Sequence, residues 1–231
     1  MTENKNVENE KMFSTFLVNL PSGGKLYSPD SPLRDGVIEM KYGTTKEEDI
    51  LLNTSYINKG IVFDKLLESL IVTENINLKD LVLGDLSTLI IESKKSMYGN
   101  KSTVNATCPQ CGEKITFEID INNLEVFTVP EGTENNSFEF TSHFGNKFKY
   151  HILTHGENED LKEGVKRAQK VLKRTTNVSM SDRLIAIIDS INGNESKSYI
   201  RDYIKNGKML SIESGELKED ILNHTPDIDL T

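Results

Sequence analysis

The chain has 231 residues, 36% of them hydrophobic and 27% charged, enough for one large or two small domains with real cores. No apolar run approaches the roughly 18 residues that a membrane span needs, and the opening MTENKNVENEK has no apolar signal region. A formal net charge of -9 argues against nucleic acid as the main partner, because such a chain has no global attraction for phosphate backbones.

Residues 1–11 are polar, lack periodicity and are expected to form a disordered arm. Residues 12–21 read as an apolar strand ended by Pro21. Turn chemistry then fills 22–36, with Gly23-Gly24, Pro29-Asp30, Pro32 and Asp35-Gly36. Ser22-Gly23-Gly24-Lys25 lacks the spacing of a phosphate loop and is taken as a loop before a strand. Residues 37–43 alternate as a half-buried strand. Thr44 or Thr45 is suited to cap the next helix, with Glu47, Glu48 and Asp49 in its first turn. Val62, Phe63, Leu66, Leu67, Leu70 and Ile71 follow the spacing of an amphipathic helix. Asp85 is expected to cap a further helix that closes at Gly99.

Two strand patterns follow, separated by Cys108-Pro109-Gln110-Cys111-Gly112, which holds the only two cysteines. In a cytoplasmic protein such a pair reads as thiols or metal ligands rather than a disulfide. Strand, C-x-x-C-G, strand is the layout of a zinc knuckle. A redox pair usually opens a helix instead. A structural zinc site takes four ligands, so Cys108 and Cys111 make half of one. His143, His151, His155 or a second chain are the candidates to complete it. The other reading is a vestigial knuckle kept as a turn. A catalytic zinc lacks the His-Glu helix it would need.

Downstream, a hairpin is expected around Gly145-Asn146, then a helix carrying Lys162, Lys166, Arg167, Lys170, Lys173 and Arg174. Spacings of three and four place most of these on one side. That side is either a solvated face or a docking face for an acidic partner, with Lys162, Lys166, Lys170 and Lys173 as the contact residues. YHILTHGENEDLKE echoes MKYGTTKEEDILL with a one-residue slip, suggesting an internal duplication. Ser179 or Ser181 should cap a helix running to Gly193. Two more helices follow, and TPDIDLT is expected to fray. The expected fold is α+β: a small mixed domain over 12–156 with a knuckle-like hairpin, then a helical region over 157–231. No Ser–His–Asp, paired-carboxylate or phosphate-loop arrangement appears, so no enzyme is expected.

Leu20-Pro21-Ser22-Gly23-Gly24-Lys25-Leu26-Tyr27, Thr45-Lys46-Glu47-Glu48-Asp49, Asn58-Lys59-Gly60, Leu66-Leu67, Leu83-Gly84-Asp85-Leu86, Tyr98-Gly99 and Cys108-Pro109-Gln110-Cys111 occur in that order. With this set the chain resembles the baseplate hub assembly proteins of T-even-like contractile-tailed bacteriophages, well from Leu20 to Cys111 and loosely beyond. The resemblance implies a chaperone or minor component of the baseplate hub. Its partners would be hub and tape-measure subunits, with a homo-oligomer also in view. Its place would be the host cytoplasm during assembly or the virion baseplate. The resemblance supplies no catalytic residues. A zinc-ribbon nucleic-acid adaptor is the remaining alternative. It needs a basic face, yet Lys101 and Lys114 lie beside Glu113, Glu118 and Asp120.

Overall fold

The computed structural model describes residues 13–172 and 177–229, without the side chains of 170–172. The arm expected at 1–11 lies outside the described residues. Alternating residues form Thr15–Asn19 (β1) and Val37–Lys41 (β2). They pair antiparallel, with Phe16 opposite Met40 and Val18 opposite Ile38. Ile38 and Met40 are fully buried. The connecting loop folds back on itself at Gly24 and Gly36, both with positive φ. A Cβ on Gly24 would lie 2.2 Å from the Arg34 carbonyl oxygen, so only glycine fits there.

The next segment breaks into Thr45–Leu51 (α1) and Thr54–Lys59 (α2). Thr44, not Thr45, caps α1 in a reciprocal box with Glu47. The break falls at Asn53, whose side chain accepts from the Ser55 and Tyr56 N–H groups and starts α2. Val62–Leu70 (α3) buries Leu66, Leu67 and Leu70 as its spacing predicts.

Leu83–Tyr98 (α4) starts two residues before Asp85, so Asp85 is not its cap. It lies fully buried in the first turn. There it accepts from the Ser22 backbone N–H at 2.9 Å, the Ser22 hydroxyl and the Tyr27 hydroxyl. The carboxylate therefore ties the β1–β2 loop to α4. Lys101–Thr107 (β3) and Lys114–Asp120 (β4) form a separate two-stranded hairpin in which no residue is buried.

The rest comprises Val126–Phe127 (β5), Phe138–Thr141 (β6), Lys147–Tyr150 (β7), His155–Leu172 (α5), Met180–Ile187 (α6), Ile188–Ile191 (β8), Lys197–Lys205 (α7), Ser211–His224 (α8) and Asp227–Ile228 (β9). Ser179, not Ser181, caps α6. The helix expected to run to Gly193 stops at Ile187, and Ile188–Ile191 becomes the third strand of a β6-β7-β8 sheet. The apolar run over 184–188 at this junction suits either state, and the free edge of β7 decides where the strand begins. The C-terminal segment does not fray over its described residues. β9 pairs with β5, and Ile228 is buried. Gly84 permits this, because a Cβ there would lie 1.7 Å from the Pro226 carbonyl oxygen.

The class is α+β, as expected. The stretch after residue 157 is not purely helical, since it supplies β8 and β9. One cluster of buried side chains runs from Val18 and Leu67 through Leu89 and Phe148 to Ile188, Ile200 and Leu217.

The sequence echo has a structural counterpart, and it needs no slip. Ile38, Met40, Lys41, Thr44 and Glu47 match Phe148, Tyr150, His151, Thr154 and Glu157 at a single constant offset. Each set is a hairpin strand leading through a Thr cap into a helix. Each hairpin also takes a bridge from the residue just after a later helix, Ile71 onto Met40 and Ile188 onto Tyr150.

Candidate functional site

The turn at the end of the β3–β4 hairpin is closed by two backbone hydrogen bonds. Cys108 N–H donates to the Glu113 carbonyl at 2.8 Å, and Gly112 N–H donates to the Cys108 carbonyl at 2.9 Å. Gly112 has a φ of 72°. Cys108 and Cys111 approach to 3.4 Å. The backbone N–H groups of Cys111 and Gln110, together with the Cys111 side chain, hold the Cys108 thiol below its usual pKa. Cys111 is exposed and Cys108 half-buried.

Of the three histidines expected as completing ligands, His151 and His155 are held elsewhere by carboxylates. His151 Nδ1 contacts Asp189 at 3.0 Å, and its Nε2 contacts Glu157 at 3.0 Å. Burial pushes the His151 pKa down, but these two acids outweigh it and the net shift is upward. His155 Nε2 meets Asp64 at 3.0 Å, tying α5 to α3. His143 sits exposed on the β6–β7 turn, where its backbone N–H donates to Glu216. Among the described residues, the only group of three or more metal-ligand side chains is Asp64, His155 and Glu159. The Lys79 ammonium lies 3.8 Å from Glu159 and already supplies positive charge there. We read that group as an ion-pair network between helices.

The hairpin has two unlike faces. Val104 opposite Phe117, Ala106 opposite Ile115 and Ser102 opposite Ile119 share one face. The other carries the Lys101–Glu118 ion pair at 2.7 Å. At its base the apolar face joins a cleft of about 450 Å³ lined by residues that include Leu66, Ile90, Met97, Val104, Ile119 and Leu124. Phe63 and Tyr98 also line it and are about half exposed. Farther out, Ile115 is 50% and Phe117 42% exposed. The alternation of Ile115, Phe117 and Ile119 signalled a strand. It could not signal that only the base of the hairpin would find cover.

A family model described as T4 bacteriophage base plate protein matches residues 12–227. The chain belongs to that family. Comparison with curated proteins and with solved structures finds no match.

The fold of this base plate family member leaves Lys162 and Lys166 exposed on α5. Arg167 on the same helix pairs with Glu163 at 3.3 Å. Lys170 belongs to the described backbone of α5, but its side chain and all of Lys173 lie outside the described residues. No helix among the described residues is long and apolar enough to cross a membrane.

Proposed function

We propose that this base plate protein is an assembly factor for the baseplate hub that works by protein–protein contact rather than by catalysis. The observation that supports this reading is the apolar face of the β3–β4 hairpin, which runs into the cleft beside α4. Monomeric proteins rarely expose contiguous apolar surface without a partner. The partners would be hub or tape-measure subunits, met in the host cytoplasm before the tail tube grows. The same surface suits a permanent hub subunit, which would keep the protein in the virion baseplate. It favours a nucleic-acid adaptor less, because Lys101 on the hairpin is already paired with Glu118.

Quantitative mass spectrometry of finished particles and of assembly intermediates separates these roles. Enrichment on intermediates with absence from particles is the expected result. Fixed copies per finished particle would make it a structural subunit. Absence from both would overturn a hub role.

A further inference from the structure

A zinc–thiolate site normally closes on four protein ligands, and this chain holds two cysteines in all. Both are free, lie on one turn and approach to 3.4 Å. That is well beyond the roughly 2.05 Å of a disulfide bond and leaves both side chains within reach of one tetrahedral ion. The turn is closed by the Cys108 N–H to Glu113 carbonyl and Gly112 N–H to Cys108 carbonyl hydrogen bonds, which keep both cysteines on the one tip. Among the described residues, neither cysteine has a third ligand-type side chain grouped with it. A zinc held on this turn would need two further ligands.

We propose that the Cys108–Cys111 turn binds zinc together with the same turn of a second copy of this chain, giving a four-thiolate centre on a two-fold axis. Each thiol gives its proton to solvent as its sulfur bonds the metal, with no change of redox state. A two-fold contact supplies the missing ligands from identical residues. Two observations favour a second copy as the occupant. The chain as a whole carries a net charge of -9, which keeps copies apart. The hairpin is nearly neutral, with Lys101 and Lys114 set against Glu113, Glu118 and Asp120, so it is where two copies approach at least cost. It also carries exposed Ile115 and Phe117 on the outer part of its apolar face, which a paired hairpin would cover while leaving the cleft at its base to a hub subunit.

The test uses the full-length protein in reducing buffer with ZnCl2, followed by sedimentation and metal analysis. The expected result is a dimer with about half a zinc per chain. EDTA should return it to metal-free monomer, and added ZnCl2 should restore both signals. Cys108→Ser with Cys111→Ser should stay monomeric and metal-free, with an unchanged melting transition because the turn is exposed. The EDTA arm needs no variant, so misfolding of the variant leaves the test intact. One zinc on each monomer would overturn the proposal. So would a dimer that survives EDTA, or failure of the wild type to take up zinc.

Discussion

Glu47 and Glu157 do the same local job in two different electrical settings. Each carboxylate uses Oε2 to accept from the backbone N–H and hydroxyl of its capping threonine, Thr44 or Thr154. Each uses Oε1 to meet the cationic or titratable side chain six residues earlier, Lys41 or His151. The first partner is a permanent cation and the second a histidine that also faces Asp189. Burial differs too. The Glu47 side chain is fully buried, whereas that of Glu157 is 39% exposed. One local scaffold thus carries a fixed ion pair in the first unit and a pH-dependent one in the second.

The largest expected effect comes from breaking the buried pair. Glu47→Ala leaves the Lys41 ammonium and the Ser69 hydroxyl without their acceptor. The cost should be about 3–5 kcal/mol, as for removal of one partner of a buried pair. Glu157→Ala removes a more exposed group and should cost about 1 kcal/mol. Urea unfolding of both variants at pH 7 checks the ranking. Equal losses would mean that the two units are energetically alike.

A second parallel sharpens the comparison. Buried Asp85 in the first turn of α4 holds Ser22 and Tyr27 of the β1–β2 loop. Buried Glu213 in the first turn of α8 holds Ser142 and Asn146 of the β6–β7 turn, together with Tyr203. Asp85→Ala or Glu213→Ala strands buried donors and should cost about 2–3 kcal/mol each. Hydrogen exchange should show faster opening of 20–36 in the first variant and of 142–146 in the second. Opening of both loops in either variant would argue against two separate clamps.

The pH dependence separates the units more finely. Burial would raise both glutamate pKa values. Hydrogen bonds from Ser69, Thr44 and Lys41 in one case, and from His151 and Thr154 in the other, outweigh it and bring each from 4.5 to about 2. Both therefore contribute stability above pH 4.5 that is lost as the pH falls through about 2. His151 is shifted the other way, above its ordinary 6.5. Its contribution is complete below pH 6.5 and is lost as the pH rises through the folded value. Thermal melts should show the wild type losing stability as the pH rises above 6.5. His151→Gln should flatten that limb. An unchanged slope in the variant would place the dependence elsewhere.

The smallest effect belongs to the exposed face of α5. Lys162→Glu with Lys166→Glu should change stability by less than about 0.5 kcal/mol. Binding of the variant to baseplate intermediates then reads the docking role directly. Weaker capture at unchanged stability would support an acidic partner, and unchanged capture would mark the face as merely solvated.

Features that depend on neighbours a few residues apart could be read directly from the chain. The amphipathic stripe of α3, a threonine cap at 44 or 45, the β6–β7 hairpin and the Cys108–Gly112 turn were all legible, because spacings of two to four residues set them. So was the echo between the two capped helices. The rest depended on how distant segments pack. Ile188–Ile191 became a strand because β7 offered an edge, and the C-terminal segment gained β9 because β5 did. Asp85 has the composition of a cap, but its donors lie about sixty residues away in the chain. Two of the histidines that could have served a metal, His151 and His155, were claimed by Asp64, Glu157 and Asp189. A buried polar group must be satisfied wherever a partner can be found. That partner is fixed by how the elements pack, which local spacing does not encode.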